Sequence, residues 1–187
     1  MFGGGGGARP DRTEEILASH MDSDCIVYPM AERRASAAEV VSIGERLGVR
    51  FPAEYVDHLS GRFAGTYVEV KEEVWPRPRP LEVGPFWTFL YAVHSYTPVA
   101  ESHDWMRLDL VGERFQAHTG LVAAPVLRVE GDPNVYCADD RGALWHYDHE
   151  LNTLTPEEVD FWALYEREIA GLLARKRDRL ARDGAAD

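Results

Sequence analysis

Ser36-Ala37-Ala38-Glu39-Val40-Val41-Ser42-Ile43-Gly44-Glu45-Arg46-Leu47-Gly48-Val49-Arg50-Phe51-Pro52-Ala53-Glu54-Tyr55 reads as one helix that stops and another that starts. Ser36 can cap the free backbone N–H groups of the first turn while Glu39, three residues on, reaches back in a capping box. Val40, Ile43 and Leu47 then fall on one helical face, and Gly48 suits the left-handed conformation that ends a helix. Phe51-Pro52 opens the second helix, since proline at a helix start loses nothing by lacking an N–H. Tyr55, Val56 and Leu59 follow on its buried side, with Gly61 or Gly65 as the stop. Two short amphipathic helices placed ahead of a series of strand patterns point to an α+β domain.

Thr66 to Val70 alternates as a strand does. In Trp75-Pro76-Arg77-Pro78-Arg79-Pro80 the prolines forbid helix and sheet pairing, giving a surface loop; the alternative is a proline-rich ligand for a recognition domain. Phe86 to Tyr96 is aromatic and apolar without clean alternation, the pattern of a central strand covered on both faces. Asp109 is placed to cap a short helix through Phe115 that closes near Gly120. Three strands follow, Ala123 to Val129, Val135 to Ala138 and Ala143 to Tyr147, the last two joined through Asp139-Asp140-Arg141-Gly142. Thr155 and Glu158 repeat the capping box with Pro156 at the first helical position. The long helix beyond it has Val159, Trp162, Tyr165, Ile169, Leu172 and Leu173 as its buried stripe, and Arg175-Lys176-Arg177 suits the negative end of the helix dipole. Residues 1–35 mix the run Gly3 to Gly7 with scattered charges and show no period. They read as a flexible extension, with Met21 or Met30 as an alternative start, and residues 181–187 read as a disordered tail.

The chain has 187 residues, 45% of them hydrophobic and 11% aromatic, enough for one core and one domain. Cys25 and Cys137 have neither metal-type nor redox-type spacing, which fits free thiols in a reducing, cytoplasmic setting, a single disulfide being the alternative. No apolar run approaches the length of a membrane span. The formal charge of −12 argues against nucleic acid as a ligand. From Glu130 to Asp160 there are nine acidic residues against Arg141 alone, a local −8 that would attract a basic partner. Asp132, Asp139, Asp140, Asp148 and Glu150 are therefore the candidate partner-binding residues, set against an acidic surface that serves solubility only.

The sequence offers no catalytic set. His146-Tyr147-Asp148-His149-Glu150 has metal-ligand residue types, but on a strand His146 and Asp148 share one face and His149 points to the other. Cys137 sits mid-strand beside bulky neighbours, no serine lies in a glycine elbow, and Gly3 to Gly7 precede no helix or lysine that would make a phosphate loop. No cofactor and no metal are expected.

Two motifs in order resemble a known family. Ile43 to Val49 followed by Phe51-Pro52-Ala53-Glu54-Tyr55 is similar to the N-terminal signature of SUKH domains, a helix ending in Leu-Gly and then Phe-Pro and an aromatic residue. Gly131-Asp132, Val135 to Asp139, Gly142, Trp145, Asp148 and His149 are similar to the late hairpin of that family, and Val83-Gly84-Pro85-Phe86-Trp87 resembles bacterial members. The second helix departs from the pattern, ending Asp57-His58-Leu59-Ser60-Gly61 where members carry Asn-Gly. The resemblance, over residues 36–180, implies a single domain with a mixed, mostly antiparallel sheet flanked by N-terminal helices and a long C-terminal helix. It also implies a non-catalytic immunity protein that binds and neutralises a cognate toxin, a nuclease being one target. The alternatives are an interaction scaffold of cell-wall or regulatory type and, further off, a metal-dependent hydrolase at His146, Asp148 and His149. Oligomeric state is left open.

Overall fold

The computed structural model describes residues 11–78 and 85–183. Among these the elements run α1 (Arg12–His20), β1 (Cys25–Pro29), α2 (Ala37–Leu47), α3 (Ala53–Ser60), β2 (Thr66–Val70), β3 (Ala92–Ser95), α4 (Leu108–Thr119), β4 (Ala123–Val129), β5 (Val135–Asp139), β6 (Leu144–Asp148), β7 (Thr153–Pro156) and α5 (Phe161–Asp183). The fold is α+β. All seven strands lie in one sheet in chain order, each antiparallel to the next. The sheet expected to be mixed and mostly antiparallel thus has antiparallel ladders throughout, and parallel pairing is confined to the isolated bridge Thr97–Arg107. Among the described residues no helix is long and apolar enough to cross a membrane.

The opening stretch folds as its residues dictate. Ser36 and Glu39 form the reciprocal capping box, and Gly48 closes α2 at φ +68°. Pro52 stands just ahead of the first helical residue of α3, and Gly61 ends that helix.

Elsewhere the chain departs from expectation. Part of the supposed N-terminal extension is structured: the Asp11 side chain accepts from the Thr13 N–H at 2.9 Å to cap α1, which buries Ile16 and Leu17. β1 then pairs along its length with β2, Cys25 opposite Val70 and Pro29 opposite Thr66. A nine-residue helix with three buried positions is too short to show a period in sequence. The run Gly3 to Gly7 lies outside the described residues, as do Arg79 to Gly84 and residues 184–187 of the supposed tail, of which Ala181 to Asp183 continue α5. Thr155 does not cap a helix. It pairs with His146 in β7, and α5 opens six residues later, where Asp160 accepts from the Ala163 N–H at 2.8 Å. Val159 is consequently exposed, and the buried stripe is Phe161, Leu164, Tyr165, Ile169, Leu172 and Leu173. Lys176 sits mid-helix rather than at the C-terminal end; its ammonium is buried and ion-paired to Asp22 and Asp24, clamping the α1–β1 loop to α5. Phe86 to Tyr96 is a single turn of 3₁₀ helix followed by the short strand β3, whose four residues are all buried. Asp109 lies inside the first turn of α4, where it pairs with Arg107 at 2.8 Å.

The sheet separates two layers. On its inner face Val68, Val93, Leu127, Val129, Ala138 and Leu144 pack against apolar residues of α1, α2, α3 and α5. On its outer face Ala123, Val135, Cys137 and Tyr147 pack beneath Phe115 and Leu121, so α4 covers that half of the sheet. A bulge between Pro125 and Leu127 makes the alternation of β4 skip one position. Val126 and Leu127 both face the inner core, and Arg128 returns to the outer face.

Candidate functional site

The outer face of β1 to β3 is not covered by α4 and opens into a cleft of about 850 Å³. Its floor is a row of residues set directly opposite one another across four strands: Tyr28 against Tyr67, Tyr67 against His94, His94 against Arg128. Period-two alternation sends these side chains outward while Val27, Val68, Val93 and Val129 go inward. One wall comes from the segment after β3. Thr97 and Leu108 tie its two ends by backbone hydrogen bonds (Thr97 N–H to Met106 O, 2.9 Å; Leu108 N–H to Thr97 O, 2.8 Å), and Ser102 Oγ donates to Met30 O at 3.0 Å. Trp105 is thereby held edge-on over the floor, 6.1 Å from the Tyr67 ring and 5.8 Å from the His94 ring, centroid to centroid. Val111 and Arg114 of α4 close the far side. Tyr28 and Trp105 remain 44% and 46% exposed, which sets two large aromatic surfaces against water at one site.

His94 is the polar centre of the floor. Its ring is 4% exposed and stacked on Tyr67 at 5.6 Å. Nδ1 lies 3.1 Å from the Ser95 carbonyl, which can only accept, so Nδ1 carries the hydrogen and Nε2 is left with its lone pair. Burial lowers its pKa to about 4, so the ring is neutral at pH 7. Nε2 stands 3.7 Å from Glu130 Oε2, beyond hydrogen-bond reach. Burial also pushes the phenols of Tyr67 and Tyr96 upward.

Comparison with family models, with curated proteins and with solved structures finds no match to this chain.

The acidic residues expected to form one face are divided by the sheet. Asp132, Asp148 and Glu150 belong to the turns at one end of the β4–β7 meander, and Asp139 and Asp140 to the β5–β6 turn at the other. Strands of five residues keep these ends on the order of 15 Å apart. Three of the five carboxylates are also engaged by their own turns. Asp132 accepts from the Asn134 N–H and Asp148 from the Leu151 N–H, both at 2.9 Å. Asp139 accepts from the N–H groups of Arg141 and Ala143 and from the Trp145 indole, each at 2.9 Å. Partial burial pushes its pKa up, but these hydrogen bonds outweigh that and hold it below the ordinary carboxylate range. Asp140 and Glu150 are exposed.

The metal-type stretch is likewise parted. His146 packs against Tyr136, Asp148 closes its turn, and the His149 ring lies beside His118 of α4 at 6.4 Å. Among the described residues no group of three or more His, Cys, Asp or Glu converges. Cys25 and Cys137 are free thiols on β1 and β5, four strand spacings or roughly 19 Å apart, which no disulfide spans. One serine does meet a histidine base: Ser95 Oγ lies 2.8 Å from His58 Nε2, with Thr13 Oγ1 2.9 Å from Nδ1. Both residues are buried beneath α1 and α5, and Ser95 Oγ also accepts from the Thr66 N–H, so the trio ties the layers together inside the core.

Proposed function

We propose that this protein is a non-catalytic, immunity-type binding protein of the SUKH kind that neutralises a protein toxin in the cytoplasm by occupying its surface. The reading rests on one observation above the others. Half of the outer face of the sheet is left uncovered, and the rings standing there, Tyr28 and Trp105 in front of Tyr67 and His94, are of the types that dominate binding energy at protein interfaces. The two motifs that resemble SUKH domains add to it. They meet in space, the Arg50 N–H donating to the Asp139 carbonyl at 2.9 Å. The net charge of −12 supplies long-range attraction for a basic partner, such as a nuclease with a phosphate-binding cleft. In this reading Asp140 and Glu150 steer, and the aromatic cleft anchors.

The test is co-expression with the product of the adjacent gene, scored by growth and by a co-purifying complex. Rescue and complex formation are expected with the native chain, and Tyr28→Ala/Trp105→Ala is expected to weaken the complex at least about 30-fold, equivalent to roughly 2 kcal/mol. A neighbour that neither harms the cell nor binds this chain rejects the toxin reading; a double variant that binds as tightly as the native protein removes the cleft from it.

A further inference from the structure

The polar groups of the cleft specify what enters it. His94 Nε2 is an acceptor on a side chain more than nine-tenths buried, and among the described residues it has no donor. Glu130 Oε2, 3.7 Å away, is a second acceptor, and no arginine or lysine among the described residues forms an ion pair with it. The two arginines that also line the cleft do not engage this pair: Arg114 faces Asp104 at 3.6 Å, and among the described residues Arg128 forms no hydrogen bond or ion pair with His94 or Glu130. Two adjacent acceptors without donors, one of them charged, call for a group with several N–H donors and a positive charge. The faces of Tyr67 and Trp105 call for a flat one, because a guanidinium stacks on aromatic rings and presents its donors in a fixed fork, whereas an ammonium does neither.

We propose that the cleft takes the guanidinium of an arginine side chain carried by a basic protein partner, with His94 Nε2 and Glu130 accepting its N–H donors against the rings of Tyr67 and Trp105. This deepens the binding reading above and depends on it for the partner, but not for the site. The net charge of −12 favours the same occupant, since arginine is the anchor a basic surface carries most readily into an aromatic pocket.

The site can be tested without the partner. N-acetyl-arginine methylamide is titrated into the full chain while the His94 imidazole nitrogens are followed by NMR. Saturable binding is expected with a Kd on the order of 1 mM, the range for a fragment of this size, with the Nε2 resonance moving as it gains a donor. Glu130→Gln, which keeps the shape of the side chain, and Trp105→Ala are each expected to weaken it at least tenfold. The lysine analogue should bind at least fivefold more weakly. Absence of saturation, a Glu130→Gln protein that binds unchanged, or tighter binding of N-acetyl-tryptophan methylamide than of the arginine probe each overturns the proposal. These outcomes are separable from those of co-expression. If the cleft variants lose rescue while the arginine probe fails, the cleft remains a contact surface and the guanidinium is rejected. If the probe binds and the neighbouring gene product does not, the site stands and the toxin reading falls.

Discussion

Gly131, at the turn that carries Glu130 into the cleft, has φ +79°, and a Cβ built there would stand 2.4 Å from Phe89 Cβ and 2.9 Å from the Phe89 carbonyl oxygen. Two penalties coincide, left-handed backbone and contact with a neighbour that cannot swing away. Gly120 isolates the first of them, with φ +74° and nothing within 4 Å of its Cβ position. Gly120→Ala is therefore expected to cost about 1 kcal/mol, and Gly131→Ala about 3 kcal/mol. Urea unfolding of the two variants measures the difference, and equal costs would remove the Phe89 contact from the explanation. At this scale much was legible. Gly48 as a helix stop, Ser36 with Glu39 as a capping box and the turn at Asp139 to Gly142 follow from local rules that need only near neighbours. His94 was not legible, because a histidine among apolar residues reads as a filled core position until its strand partners are known.

Elements were legible where their periodicity was long and their ends were marked. α2, α3, β2 and β4 to β6 announce themselves, whereas α1 and β1 do not: nine residues of mixed charge carry little period, and Cys25 to Pro29 is an uncharged run of only five. Tertiary partners decide them. Ile16 and Leu17 are buried, and Thr13 Oγ1 bonds His58. A chain begun at Met21 loses all three contacts and leaves a buried imidazole nitrogen without a partner. Burial of the two aliphatic side chains alone is worth about 3–6 kcal/mol, so that shortened chain is expected to lose at least about 3 kcal/mol or to melt without cooperativity. Had α1 been a mere extension, the two unfolding curves would coincide. The misplaced start of α5 has a similar cause: the local signal Thr155-Pro156-Glu157-Glu158 was genuine, but pairing of β7 with β6 claimed those residues first.

For the molecule as a whole the two buried histidines set a dependence on acid. Burial lowers the pKa of His58 to about 3 and of His94 to about 4, against about 6.5 in an unfolded chain. Between those limits the unfolded state binds more protons, so stability is complete above about pH 6.5 and falls as the pH drops toward 3. At pH 5 each group is expected to withdraw about 2 kcal/mol, or about 4 kcal/mol together. The carboxylates held low, such as Glu39 at about 2 through its hydrogen bond with Arg33, begin to matter only below about pH 4.5. Unfolding in urea at pH 7, 6 and 5 should show the loss, and His94→Gln should halve its slope; a flat profile would mean that both rings are protonated in the folded state. The row Tyr28, Tyr67, His94, Arg128 belongs to this scale as well. It is a product of register across four strands, which no window of sequence displays.

The clamp of Lys176 on Asp22 and Asp24 joins nearly the two ends of the described chain. The sheet between them is a meander in which each strand needs only the one before it, so most of the fold can be assembled in the order of synthesis. The α1–β1 corner cannot. It leaves the ribosome before the rest of the sheet, yet the lysine that secures it lies 152 residues beyond Asp24. The strand that presents Tyr28 can pair with β2 as soon as both are made, but the corner that leads into it is pinned only once α5 has formed.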